Sequence, residues 1–83
     1  MQITLKLYAM LGDYLPAGAV RNVVTLDVVE NASVGEVIAQ LHLPPQLVHL
    51  VLVNGIYIVP EQRHQTPLKE GDALAIWPPV AGG

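Results

Sequence analysis

An α+β fold, a mixed sheet of four to five strands packed on one helix, is what this chain of 83 residues predicts. Three observations carry the prediction. Short runs of polar–apolar alternation recur along the chain, the period of half-buried strands. One stretch alone, just after a capping signal, has the apolar spacing of an amphipathic helix. An Asn–Gly pair sits between two β-rich runs, the strongest short hairpin signal. The length suits one domain, near the lower limit at which a single hydrophobic core suffices without staples.

The first run, "ITLKLYA" (Ile3 to Ala9), sets Ile3, Leu5 and Leu7 on one face and Thr4, Lys6 and Tyr8 on the other, and reads as a strand. A loop rich in turn residues, "GDYLPAGA", follows. "NVVTLDVV" (Asn22 to Val29), rich in β-branched residues, is the second strand. In "SVGEVIAQL" Ser33 stands three residues before Glu36, the spacing of a capping box, so a helix starts there. Val34, Val37, Ile38 and Leu41 then form one apolar stripe. The pair Pro44–Pro45 requires the helix to stop by about residue 42. "LVLVNGIYIV" supplies strands three and four around Asn54–Gly55. "PLKEGDALAIW" gives a Glu–Gly–Asp turn and a last strand, with Leu74 and Ile76 inward and Ala73, Ala75 and Trp77 outward.

The order is thus β-β-α-β-β-β, with the helix crossing from the first hairpin to the later strands. That is a β-grasp domain over residues 1–77. Residues 78–83, "PPVAGG", form a C-terminal tail.

Composition excludes several function classes. With no cysteine there is no disulfide, thiolate metal site or cysteine nucleophile. Only four basic residues, Lys6, Arg21, Arg63 and Lys69, are scattered along a chain of net charge −3, which argues against nucleic-acid or acidic-lipid partners. The opening "MQITLKLYAM" alternates rather than forming a signal-peptide core or a membrane span, so the expectation is a soluble cytoplasmic protein. Charged residues make up 13% of the chain and apolar ones 52%. Typical domains carry about 25% charged residues, so either the core is well filled or an apolar docking face is exposed.

The side chains offer no nucleophile–base–orienter set, and no metal site is expected. Ser33 is taken up by the cap, and His42, His49 and His64 are dispersed in sequence. If the first and last strands run parallel at the sheet centre, Tyr8, Ala75 and Trp77 share the face opposite the helix, beside the tail. Trp and Tyr are common interface anchors, so these three are candidate partner-binding residues. Alternatively, Trp77 folds onto Tyr57 and Val59 as a second small core.

The layout and its end resemble the ubiquitin-like sulfur carriers of the MoaD/ThiS family, and most of all the small subunit of molybdopterin synthase. The resemblance covers nearly the whole chain: a strand from residue 3, a capped helix near 33, "VNG", "LKEGDALAIWPP" and the terminal "PPVAGG". The two prolines favour the molybdopterin branch over the thiamine one. The helix is short for that branch, and the first loop lacks its usual arginine and glutamate. The resemblance implies that Gly83 is adenylated at its carboxylate and then converted to a thiocarboxylate. Its implied partners are an E1-like adenylating enzyme that uses ATP, a sulfurtransferase as sulfur source and a large synthase subunit, with no cofactor bound by the chain itself. Delivery for thiamine or another sulfur-containing metabolite, and an isopeptide bond from Gly83 to target lysines, are the alternatives.

The tail composition suits that chemistry. A chain end threading a narrow channel is obstructed by any Cβ near the reacting carbonyl, and glycine at 82 and 83 removes it. Val80 and Ala81 lead up to them, and Pro78 and Pro79 fix φ and favour an extended exit from the sheet.

Overall fold

The computed structural model describes residues 1–80. Five strands form one sheet: β1 (Gln2–Leu7), β2 (Val23–Asp27), β3 (Leu50–Val53), β4 (Ile56–Tyr57) and β5 (Ala73–Trp77). Among the described residues one α-helix, α1 (Val34–Gln40), crosses between β2 and β3. The sheet order is β2-β1-β5-β3-β4. β1 and β5 are parallel neighbours at the centre, and the remaining pairs are antiparallel, which is the mixed β-grasp sheet expected from the sequence.

Register turns the alternation of β1 into a layered core. Leu5 stands opposite Val24 on one side and Leu74 on the other, while Leu7 faces Ile76, which in turn faces Val51. Each of these side chains is buried, as are Val34 and Val37 of α1. Ile38 and Leu41 complete the stripe from partly buried positions. The helix ends at the Leu41 cap, and His42 turns the chain with φ +58° ahead of the two prolines.

The start of α1 is a complete capping box. Glu36 N–H donates to Ser33 Oγ at 3.0 Å, and Ser33 N–H donates to Glu36 Oε1 at 2.9 Å. The hairpin turn is formed by Asn54 at φ +50° and Gly55 at φ +83°, the two positive values a type I′ turn needs. Asn54 also reaches sideways. Its Nδ2 donates to Asp72 Oδ1 and its Oδ1 accepts from Ala73 N–H, both at 2.9 Å, while Asp72 Oδ2 accepts from Lys69 N–H at 2.8 Å. The hairpin tip is thereby tied to the Glu–Gly–Asp turn that feeds β5.

The loops hold more structure than the sequence suggests. The segment after β1 is a 3-10 helix, Ala9–Tyr14, that buries Leu11, and others occupy Pro45–Leu47 and Pro60–Gln65. The last of these packs on α1. An added Cβ at Gly35 would lie 2.5 Å from His64 Nδ1, so the missing side chain is what lets the His64 ring lie on the helix. β1, β2 and β4 end two residues earlier than the alternation suggested, β2 starts one residue later and β1 one residue earlier, while β3 and β5 keep the expected bounds. Tyr8, Ala9 and Val28 fall outside them.

Candidate functional site at the end of the central strands

Parallel pairing of β1 and β5 brings Tyr8 and Trp77 together. The last registered pair is Leu7 with Ile76, and Tyr8 N–H donates to the Ile76 carbonyl at 3.1 Å. One step beyond, both side chains point away from the helix. Their rings lie face to face with centroids 4.1 Å apart and planes 4° from parallel. Both residues are half-buried. Such pairs contribute about 0.5–1.5 kcal/mol beyond the area they cover. Trp77 stacks on Tyr8, while Tyr57 and Val59, the expected members of a second small core, are exposed.

Around the stack the outer sheet face is largely apolar. Leu50 stands beside Trp77, Leu52 beside Ala75, and Tyr57 beside Leu52. Lys6 borders Ala75 on the other side. The structure thus places Tyr8, Ala75 and Trp77 on one face at one end of the sheet. Burial continues into Pro78, one residue past the last strand, whereas Pro79 and Val80 are exposed. Ala81, Gly82 and Gly83, the remaining tail residues singled out from the sequence, lie outside the described residues.

Two features of this end escaped the sequence. The Trp77 carbonyl accepts from His49 N–H at 3.0 Å. The His49 carbonyl in turn accepts from Arg63 Nη2 at 3.1 Å, and Arg63 Nε donates to the Ile58 carbonyl at 3.2 Å. Both involve backbone groups brought together by tertiary folding, which no spacing rule could have found.

On the helix side, Gly35, Ile38, Leu43, Val48, Pro60 and Arg63 are among the walls of an open groove of about 280 Å³. Glu36, at the helix start nearby, has its pKa held below the ordinary carboxylate value, first by the Ser33 N–H, then by the Ser33 hydroxyl, and further by the charge of His64. Among the described residues no group of three His, Asp or Glu side chains is placed to hold a metal ion, and no helix is long and apolar enough to cross a membrane. The site therefore provides an aromatic anchor and an apolar surface beside the strand that leads into the tail.

A mixed sheet with a parallel central pair and one crossing helix is the ubiquitin-like β-grasp fold. The comparisons agree: residues 17–83 match the ThiS family, and the chain belongs to this family of ubiquitin-fold, MoaD-like sulfur carriers. Among solved structures, small archaeal modifier protein 1 from Haloferax volcanii is 27% identical with a TM-score of 0.70, each chain covered over 100% of its length. Thiamine biosynthesis protein ThiS from Geobacter metallireducens is 24% identical at TM-score 0.68, again with 100% of both chains covered. A chain of the complex of subunits 1 and 2 of molybdopterin-converting factor from Helicobacter pylori is 22% identical at TM-score 0.62 over 100% of both chains. The last two likenesses speak to the fold alone. No curated protein sequence gives a significant match.

Proposed function

We propose that this chain carries sulfur on its own C-terminus, as a thiocarboxylate at Gly83, and donates it in molybdopterin biosynthesis as the non-catalytic small subunit of a synthase. The observation that carries the reading is the convergence, at one end of the sheet, of the Tyr8–Trp77 stack and the strand leading into "PPVAGG". An adenylating enzyme docks on the Tyr8, Ala75 and Trp77 face while Pro79, Val80, Ala81 and Gly82 thread its channel and Pro78, buried at the edge of the domain, anchors the tail's base. A Gly83 carboxylate oxygen attacks the α-phosphorus of ATP and pyrophosphate leaves. The outer sulfur of a sulfurtransferase persulfide then displaces AMP, and a second thiol cleaves the acyl disulfide, leaving the thiocarboxylate here and a disulfide on the donor. A large synthase subunit receives the loaded tail.

Intact-mass measurement of the chain after incubation with an adenylating enzyme, ATP and a persulfide donor tests this. A gain equal to exchanging one oxygen for sulfur is expected, and Gly82→Val abolishes it at an unchanged melting temperature. No gain with the untouched sequence, or a normal gain with valine at 82, sinks the reading.

A second reading draws on the likeness to the archaeal modifier: after the same activation, Gly83 forms an isopeptide bond with target lysines. It predicts larger covalent adducts in place of the single-atom mass change. A thiamine-type acceptor, suggested by the ThiS family match, shares the activation and differs only in who takes the sulfur.

A further inference from the structure

The described chain makes its last backbone hydrogen bond at Trp77, whose carbonyl accepts from His49 N–H at 3.0 Å. Pro78 and Pro79 have no N–H to offer beyond it. His49 is thus one of the groups that fix where the tail leaves, beside the Leu50–Trp77 pair and the Tyr8 stack. His49 precedes β3 and Ile58 follows β4, so they are the two legs of the hairpin at its open end. The ladder between those legs is short, with two registered pairs, Leu52 with Tyr57 and Val53 with Ile56, and one further bond from Ile58 N–H to the Val51 carbonyl.

Arg63 closes that open end. Its Nη2 donates to the His49 carbonyl and its Nε to the Ile58 carbonyl, at 3.1 Å and 3.2 Å, so one guanidinium spans both legs. Its backbone lies in the 3-10 helix Pro60–Gln65, which packs against α1. A planar fork with donors at fixed angles suits two separate carbonyls, and an ammonium does not. Among the described residues no carboxylate lies within ion-pair distance of this half-buried cation. One of only four Lys and Arg residues in the chain is thus spent on backbone oxygens next to the tail exit.

We propose that Arg63 is a positioning residue: it holds His49, and through it the Trp77 carbonyl, so that the tail leaves the sheet at a fixed place and angle for its partner's active site. The delivery part rests on the proposed carrier function. The pin itself does not. A loosened exit must be ordered during docking, which weakens binding of the carrier without altering chemistry once bound.

The test compares Arg63→Ala and Arg63→Lys with the unaltered chain in two measurements. In amide hydrogen exchange, the His49 amide is expected to lose protection at least about tenfold in the alanine variant, less with lysine. The Asn54 amide, which donates to the Ala73 carbonyl at the opposite end of β5, stays unchanged. In ATP–pyrophosphate exchange with an adenylating enzyme, KM for the carrier rises several-fold with kcat unchanged, and lysine lies between. Unchanged protection at His49, an equal loss at His49 and Asn54, or an unchanged KM despite a loosened His49 overturns the proposal. An unaltered chain that supports no exchange overturns the carrier reading and the delivery role with it, while the His49 amide still reports on the pin separately.

Discussion

Glu36 shows how much one side chain does at a helix start. Its backbone N–H donates to Ser33 Oγ, and its carboxylate accepts the Ser33 N–H, lies by the Ser33 hydroxyl and faces the charge of His64, which together hold its pKa below the ordinary carboxylate value. A carboxyl whose folded pKa is depressed adds stability that is present above the unfolded value and lost as pH falls through the folded one. Glu36→Gln keeps a hydrogen-bond acceptor but cannot titrate. The unaltered chain is therefore expected to lose stability relative to the glutamine variant as pH drops through the carboxylate range, and to run parallel to it above that range. Urea midpoints measured across that range check this, and parallel curves throughout would mean that the Glu36 carboxylate is not held by the cap. The box was legible in the sequence because it is local: two residues at a fixed spacing satisfy each other. The His64 ring against Gly35 was not, because those residues meet only when the 3-10 helix folds back on α1.

At the scale of elements, the β3–β4 hairpin joins a legible feature to a hidden one. Asn–Gly announced the turn, and both positive φ values are present. What the dipeptide could not announce is the reach of the Asn54 amide to Asp72 and Ala73, which locks the hairpin tip to the turn before β5. Glycine and alanine at 54 separate the two roles. Asn54→Gly keeps the backbone shape and loses the bridge, so a cost of about 1 kcal/mol is expected for these exposed bonds. Asn54→Ala loses the bridge and also places a Cβ in the left-handed region, adding about another 1 kcal/mol. Equal denaturation midpoints for the two variants would show that turn conformation carries none of the effect. The 3-10 helices escaped the sequence because they are too short to establish a periodicity, and so nothing in "PEQRHQ" marks that it carries Arg63 to the hairpin.

For the whole molecule, topology makes a docking surface from residues far apart in sequence. Strand parity and a parallel β1–β5 pair sufficed to put Tyr8, Ala75 and Trp77 on one face; the rings' contact depended on a register that only the folded sheet reveals. That contact changes what loss of Trp77 should do. A fully buried tryptophan replaced by alanine costs about 3–5 kcal/mol, but this ring is half-buried and its main aromatic contact is a single stack. Trp77→Ala is therefore expected to lower stability by about 1–2 kcal/mol, part of it the 0.5–1.5 kcal/mol of an aromatic pair. Because Tyr8→Ala breaks the same stack, the double variant should lose less than the two single losses added. Partner affinity should fall further than stability does. Anchors of this kind commonly account for 2 kcal/mol or more of binding, so at least about a tenfold loss toward the adenylating enzyme is expected, with 1.4 kcal/mol corresponding to one decade. Trp77→Phe, which retains a stacking ring, should recover most of the stability and only part of the affinity. Denaturation and titration of these four variants against one adenylating enzyme separate the roles: a loss of stability with unaltered affinity would make the stack a structural clasp alone and move the docking face elsewhere on the sheet.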